Sequence, residues 1–269
     1  MKRKGELTTQ QLVTLIILIV SFGIILFLIF NLGLGETTNK EICHNSVLLK
    51  SKSVVGGELD CKTNYVCISG GGKCEGFNED YTIKIDMNPK AKSKEEKNEK
   101  IKNQTMKAIA DEMTDCWWMF GEGKIDYVGG IEAIDKSVCS LCSVVAIDKN
   151  ININKTSYTD FYNYLKSTKK DEYKTYLNYL FEIDEVTDTN NFLGTHYFEP
   201  GKKYSVITGL SKEGVFSSIV EKLNIGKGIR ELIFGDGTEK EKLENLRIVV
   251  LEQTEINKLL KCDEFITKA

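Results

Sequence analysis

The stretch Cys116-Trp-Trp-Met-Phe120 decides the fold, because it sets four large apolar side chains beside a cysteine. It closes a predicted helix over 93–118, which begins with Lys and Glu and then repeats apolar residues at helical spacing. Gly121-Glu-Gly123 ends the pattern. We therefore interpret this end of the helix as the centre of the main core.

Predicted strands and helices alternate on both sides of this core. Residues 81–87 alternate in polarity and are followed by Asn88-Pro89, which is typical of a strand with one buried face. Further strands are expected over 142–148, 204–209 and 246–252. Further helices are expected over 157–166, 171–181, 214–223 and 254–260. The alternation predicts an α+β (or α/β) domain in which helices cover a sheet, with the strand order left open.

An apolar segment over 12–32 lies near the start of the chain. As a helix it would span about 31 Å, close to the hydrocarbon thickness of a bilayer. Lys2, Arg3 and Lys4 precede it, whereas Lys40 is the only basic residue soon after it, so the positive-inside rule places the N-terminus in the cytoplasm. The segment predicts a single-pass transmembrane helix with the C-terminal part outside the cell. A cleavable signal peptide is the alternative, but its apolar core would be shorter.

Composition predicts a folded, exported part. The chain has 269 residues, is 41% hydrophobic and contains only 2 Pro. We expect a cytoplasmic N-terminus over 1–11, the transmembrane helix over 12–32, a disulfide-rich β module over 36–78 and an extracytoplasmic α+β domain over 79–269. A net charge of −3 without Arg clusters argues against a nucleic-acid partner.

All eight cysteines follow the apolar segment, which is the pattern of an oxidising compartment. An even count in exported sequence predicts four disulfides, although eight cysteines permit 105 pairings. One group lies within 32 residues, too little chain for a core of its own, and the other joins the middle of the chain to its end. The first group is Cys43, Cys61, Cys67 and Cys74, and the second is Cys116, Cys139, Cys142 and Cys262.

Two other roles for the cysteines remain open. Cys139 and Cys142 have the C-x-x-C spacing of a redox pair, but the strand expected after them differs from the helix that lowers a thiol pKa in thioredoxin-like proteins. A zinc site would need a second pair at short spacing, and there is none. We expect no metal, and the structural disulfide is the favoured interpretation.

Catalytic motifs are absent from the sequence. There is no H-E-x-x-H and no G-x-S-x-G, and His44 and His196 are expected in surface loops. The glycine-rich stretch 70–73 is followed by Cys74 where a phosphate-binding loop needs Ser or Thr. We expect no catalytic residues and no cofactor.

Tyrosines crowd two adjacent predicted helices, more than one buried face can hold. Because a tyrosine combines a rigid ring with a hydroxyl, we predict that the exposed part of the run contacts a protein or a glycan. The alternative is amphipathic packing with hydroxyls at the surface. The candidates are Tyr158, Tyr162, Tyr164, Tyr173, Tyr176 and Tyr179.

Two sequons, at Asn103 and Asn154, become glycosylation candidates if the domain is exported, and Asn154 lies in the more polar loop.

Two resemblances bear on the setting. The motif Cys116-Trp-Trp-Met-Phe-Gly-Glu-Gly-Lys124, followed by Cys139-x-x-Cys142, resembles a group of uncharacterised, membrane-anchored envelope proteins of small-genome archaea. Lys4-Gly5-Glu6 before a long apolar helix resembles the class III signal of archaeal type IV pilin-like proteins, which implies cleavage after Gly5. The first resemblance implies an archaeal envelope but no activity.

These observations predict a membrane-anchored extracytoplasmic envelope protein with a structural or contact role, whose partners are the membrane and other envelope proteins or glycans. A membrane-tethered thiol-disulfide oxidoreductase using Cys139 and Cys142, and a pilin-like subunit, are the alternatives.

Overall fold

Helices and strands both form along the chain in the computed structural model, as the sequence predicts. The structure describes residues 9–31, 34–52, 58–128, 137–151, 153, 156–184, 197–212, 243–256, 260 and 262–268. The helices are α1 Thr9–Asn31, α2 Leu34–Lys52, α3 Lys94–Met119, α4 Tyr158–Ser167 and α5 Tyr176–Phe181. The strands are β1 Asn64–Ser69, β2 Tyr81–Lys84, β3 Val138–Ile147, β4 Thr156–Ser157, β5 Tyr197–Phe198, β6 Lys203–Lys212, β7 Leu243–Glu252 and β8 Glu264–Phe265.

A mixed sheet organises the domain in the order β2-β1-β3-β6-β7. β1 runs parallel to both β2 and β3, whereas β6 is antiparallel to β3 and to β7. β8 pairs with the beginning of β3, along the same edge that β1 occupies further on. Short strands β4 and β5 form a separate antiparallel pair. The mixed α+β prediction is therefore confirmed.

The helices begin where side chains satisfy their first backbone N–H groups. The Ser93 side chain accepts a hydrogen bond from the Glu96 N–H at the start of α3. α4 begins next to Ser157, where the sequence predicts a helix start, and Ser157 forms a capping box with Asp160. α5 differs, because Thr175 caps it and not residue 171.

The main core lies between the sheet and α3, α4 and α5. Trp117, Phe120, Val145, Ile147 and Tyr204 belong to one buried cluster, so the Trp-rich end of α3 lies in the core as predicted. Two smaller clusters contain side chains from other positions of the same strands. One is formed by Cys139, Ile207, Leu251, Ile256 and Leu260, and the other by Cys67, Cys74 and Ala146.

Four disulfides pair all eight cysteines, as the even cysteine count predicts. They are Cys43–Cys61, Cys67–Cys74, Cys116–Cys142 and Cys139–Cys262. The two groups of four predicted from the spacing each pair internally. The last bridge joins the C-terminal segment to the middle of the chain across 123 residues, as the sequence suggested.

The C-x-x-C spacing has a structural explanation in β3. Residues three apart in a strand point to opposite faces of the sheet, so the side chains of Cys139 and Cys142 cannot meet. Cys142 bonds Cys116 of α3 in the main core. Cys139 bonds Cys262 and packs in a separate cluster. β3 is thus bridged to a different segment on each of its faces.

The region expected as a β module over 36–78 differs in two respects. Its first part is helical, because α2 covers Leu34–Lys52, and Cys43 and Val47 of that helix are buried in the main core. Its second part contributes β1, which lies between β2 and β3 in the main sheet. Ile42–Ala269 is one compact unit, so the division expected at residue 78 falls inside a single unit.

Met1–Glu41 is the other compact unit, and α1 lies within it. Within residues 13–24 of α1, large apolar side chains are between 50% and 63% exposed. Over the described residues, no helix is both long enough and apolar enough to cross a membrane.

Candidate contact surface

Three of the six predicted contact tyrosines are buried, which corrects the expectation for them. Tyr158, Tyr162 and Tyr176 are each less than a tenth exposed. The Tyr158 ring stacks on Phe198 with ring centroids 4.5 Å apart, and its hydroxyl donates to the Val250 carbonyl at 2.9 Å. These rings face the core because they cover the sheet, so a partner cannot reach them.

Two further tyrosines are half-buried between helices. Tyr164 packs against Tyr176, with ring centroids 6.2 Å apart. The Tyr179 hydroxyl donates to Glu122 Oε1 at 2.8 Å, and Lys170 Nζ lies 4.0 Å from the centre of the Tyr179 ring. Both rings expose part of their surface, but their geometry is set by contacts within the domain.

Carboxylates on α3 and just after it accept hydrogen bonds from Tyr81, Tyr176 and Tyr179, which explains why these residues are tyrosine. Tyr176 donates to Asp111 Oδ1 at 2.6 Å, in the same way that Tyr179 donates to Glu122. Tyr81 of β2 donates to the buried Glu112 at 2.5 Å. A buried carboxylate needs hydrogen-bond donors, and a phenol provides one together with an apolar ring.

The pKa values follow from this arrangement. Burial, reinforced by the neighbouring carboxylates, raises the pKa of Tyr81, Tyr176 and Tyr179 above the ordinary value. Burial also acts to raise the pKa of Glu122, but hydrogen bonds from Tyr179 and Lys124 outweigh it and lower that pKa. The tyrosines therefore stay neutral donors and Glu122 stays a charged acceptor in the folded protein.

Tyr173 is the remaining candidate, and its side chain is 86% exposed. It lies in the loop 168–175 between α4 and α5, which we call the Tyr173 loop. Asp171 Oδ1 accepts from the backbone N–H groups of Tyr173 and Lys174, each at 2.9 Å. Asp171 was expected to open a helix, but its carboxylate instead closes a turn.

The Tyr173 loop is fastened at its base. Lys170 N–H donates to the Lys174 carbonyl at 2.9 Å, and Lys169 forms a β-bridge with Thr175. The Tyr176 N–H donates to the Thr168 carbonyl at 3.1 Å. A loop held in this way presents its exposed ring with little conformational entropy left to lose on binding.

Charge around the Tyr173 ring is mixed, with an excess of lysine. The loop contains Lys169, Lys170 and Lys174 against Asp171 and Glu172. All five are exposed. An exposed aromatic ring on a loop with one more lysine than acidic residues can contact an apolar patch on a partner that carries acidic groups at its rim.

His44 lies in a different setting from the surface loop predicted for it. It belongs to α2 and is half-buried, with its ring stacked on Trp118 at a centroid distance of 4.1 Å. Its Nδ1 lies 2.8 Å from the Trp118 carbonyl oxygen near the end of α3. Its contacts are those of a packed side chain that helps to hold the helix end, and His196 lies outside the described residues.

The other predicted sites are distributed as follows. Asn103 is exposed on α3, but Thr105 of its sequon is buried and donates to the Ile101 carbonyl at 3.0 Å. Asn154 and the expected cleavage position at Gly5 lie outside the described residues. Within the ranges that the structure covers, no group of three His, Cys, Asp or Glu side chains could hold a metal ion.

The proposed redox pair does not form a disulfide of its own. Cys139 and Cys142 are each bonded to another cysteine, and both are almost completely buried. Thiol-disulfide exchange needs an accessible sulfur atom. No observation in the structure therefore favours the oxidoreductase alternative.

Comparison with known proteins gave no match among family models, curated proteins or solved structures. The two resemblances noted in the sequence remain predictions.

Proposed function

We propose that this chain is a membrane-anchored envelope protein whose disulfide-bonded domain works outside the cytoplasm and makes contacts with other envelope components. The observation that carries the proposal is the pairing of all eight cysteines in four disulfides. Disulfides persist in oxidising compartments and are rare in the cytosol. A protein built around four of them is suited to an exported location.

Support for the anchor comes from the amino-acid sequence of the N-terminal segment. The apolar run over 12–32 is long enough for a bilayer, and the basic residues that precede it favour a cytoplasmic N-terminus. Large apolar side chains within 13–24 are half or more exposed in α1. A lipid environment would satisfy these side chains, which water does not.

Support for the contact role comes from the Tyr173 loop. Tyrosine is enriched among the residues that dominate binding energy at protein interfaces. Tyr173 is the most exposed of the candidate tyrosines, and its loop is held by Asp171. The lysines of the loop favour an acidic partner surface.

Protease treatment of intact cells lacking a wall tests the location. The domain after about residue 36 should be digested without lysis, while an N-terminal epitope tag should survive. Protection of the whole chain until lysis would contradict an exported domain.

Affinity purification from native membranes tests the contact role. Tyr173→Ser should reduce the recovery of co-purifying envelope proteins, because it removes the ring without touching the core. Tyr197→Ser provides a matched control, since Tyr197 is also exposed but lies in β5, outside the loop. Equal recovery with wild type and Tyr173→Ser would reject the loop as a contact surface.

A further inference from the structure

A cleft of about 360 Å³ opens on the sheet, away from the Tyr173 loop. Tyr65, Phe77 and Val144 supply its apolar lining. Tyr65 and Val144 are paired neighbours on β1 and β3, so they form the floor. The rim is polar and is provided by Asn78, Asp80, Lys203 and Gln253, together with Gly76.

The wall that carries Phe77 is fixed before any ligand arrives. The Cys67–Cys74 disulfide ties the loop 70–80 to β1. Asp80 N–H donates to the Tyr65 carbonyl, and Tyr65 N–H donates to Asp80 Oδ2, both at 2.7 Å. A site built on such a loop loses little conformational entropy when it binds.

The opposite wall is joined to the same loop. Lys203 Nζ donates to the Gly76 carbonyl at 3.2 Å and lies 5.2 Å from the centre of the Phe77 ring. The rings of Phe77 and Tyr65 are tilted, with their centroids 5.8 Å apart. The cleft therefore combines two aromatic rings with donors and acceptors on several sides.

The charge and polarity of the lining restrict the class of ligand. Among the described residues of the lining, Asp80 and Lys203 are the only charged members, so this lining is neutral and offers a polyanion a single cation. The polar rim and open shape do not suit an acyl chain, which requires an enclosed apolar tunnel. An uncharged, polyhydroxylated ligand fits, because amides, carboxylate and ammonium bind hydroxyls while aromatic rings stack on the apolar faces of sugar rings.

The position of the cleft disfavours an extended peptide. Peptides that add to a sheet need an unpaired strand edge. β1 already pairs with β2 on one side and with β3 on the other, and the cleft lies on the face of the sheet. Side chains, and not backbone groups, are what this surface presents.

We propose that this cleft binds a neutral oligosaccharide, with Phe77 and Tyr65 as the stacking rings and Asn78, Asp80 and Gln253 as hydroxyl partners. Glycans are abundant outside the cytoplasm, so this inference rests on the exported location proposed above. Binding to purified protein does not depend on the location, however, so the two proposals can fail separately.

Titration calorimetry of the full chain in a detergent without a sugar headgroup tests the site. The probes are chitotetraose, maltotetraose, cellotetraose and mannotetraose, with tripolyphosphate as an anionic competitor. At least one oligosaccharide should bind saturably. Phe77→Leu should weaken that binding about tenfold, because it removes a stacking ring but keeps an apolar side chain.

Two further variants separate loss of binding from loss of fold. Asn78→Ala changes an exposed side chain and should weaken binding without changing the thermal unfolding midpoint. Tyr197→Ser, in β5 and outside both proposed binding surfaces, should bind the oligosaccharide as wild type does. Absence of saturable binding by all four probes, unchanged affinity in both Phe77→Leu and Asn78→Ala, or displacement by tripolyphosphate would overturn the assignment.

Discussion

Replacing both cysteines of the longest bridge, by Cys139→Ala with Cys262→Ala, should destabilise the domain more than replacing those of the shortest. A disulfide restricts the unfolded chain, and the effect grows with the logarithm of the loop it closes. The Cys139–Cys262 bridge spans 123 residues, which corresponds to about 5 kcal/mol at 25 °C. The Cys67–Cys74 bridge spans 7 residues, which corresponds to about 2.5 kcal/mol.

The two bridges do not share a loop, so the comparison is direct. Neither of the other two disulfides shortens the loop between Cys139 and Cys262. Cys116–Cys142 connects that loop only to an earlier part of the chain, and Cys43–Cys61 lies wholly N-terminal to the loop. Native contacts of the C-terminal segment also remain in the variant. Asp263, for example, accepts from the Ser137 backbone N–H at 2.8 Å whether or not the bridge is present.

Guanidinium unfolding of the full chain in detergent, followed by the fluorescence of Trp117 and Trp118, measures the difference. The Cys139→Ala, Cys262→Ala variant should lose about 2.5 kcal/mol more free energy of unfolding than Cys67→Ala, Cys74→Ala. Its dependence on denaturant should also become steeper, since the unfolded chain exposes more surface. Equal losses, or a larger loss for the short bridge, would refute the reasoning.

Four further outcomes are expected. Tyr176→Phe should lower the free energy of unfolding by about 1.5 kcal/mol, because the hydroxyl no longer donates to Asp111; an unchanged urea midpoint would contradict this. The free energy of unfolding should fall above about pH 10, by about 1.4 kcal/mol per pH unit for each buried tyrosine. The reason is that the raised pKa keeps the phenol protonated in the folded protein, while the same phenol ionises in the unfolded chain. Equal urea midpoints at pH 9 and pH 11 would count against this. N-terminal sequencing of native protein should find Met1 for a retained anchor, whereas Glu6 as the first residue would establish pilin-like processing. Glycopeptide mass spectrometry should find glycan at Asn154 and none on the sequon within α3. The reverse would show that burial of the sequon threonine is no barrier.

Helices and strands that are marked by apolar periodicity and by capping residues within their own sequence were predicted correctly. α3 and α4 have apolar residues at helical spacing and Ser caps, and β6 and β7 are apolar runs bounded by polar sequence. α2 was not predicted, because its sequence is largely polar and, within 39–52, Cys43 and Val47 are the only buried residues. β8 is two residues long and forms because it pairs with β3, more than a hundred residues away.

The orientation of the tyrosines could not be predicted either, because it too depends on contacts with residues far away in the sequence. Tyr176 faces inwards because its hydrogen-bond acceptor, Asp111, lies 65 positions earlier on another helix. The cleft likewise combines Tyr65, Phe77, Lys203 and Gln253, which come from separate elements and meet only in the folded sheet. Contact surfaces assembled from distant segments leave no local pattern in the sequence.

Disulfide mapping by mass spectrometry, on non-reduced protein purified from native membranes, tests the central claim most directly. An exported domain with this fold predicts the four linked peptides Cys43–Cys61, Cys67–Cys74, Cys116–Cys142 and Cys139–Cys262, with no thiol available for alkylation. Reduced cysteines in freshly isolated protein would contradict the exported location. A peptide in which Cys139 is linked to Cys142 would contradict the structural role of the bridges.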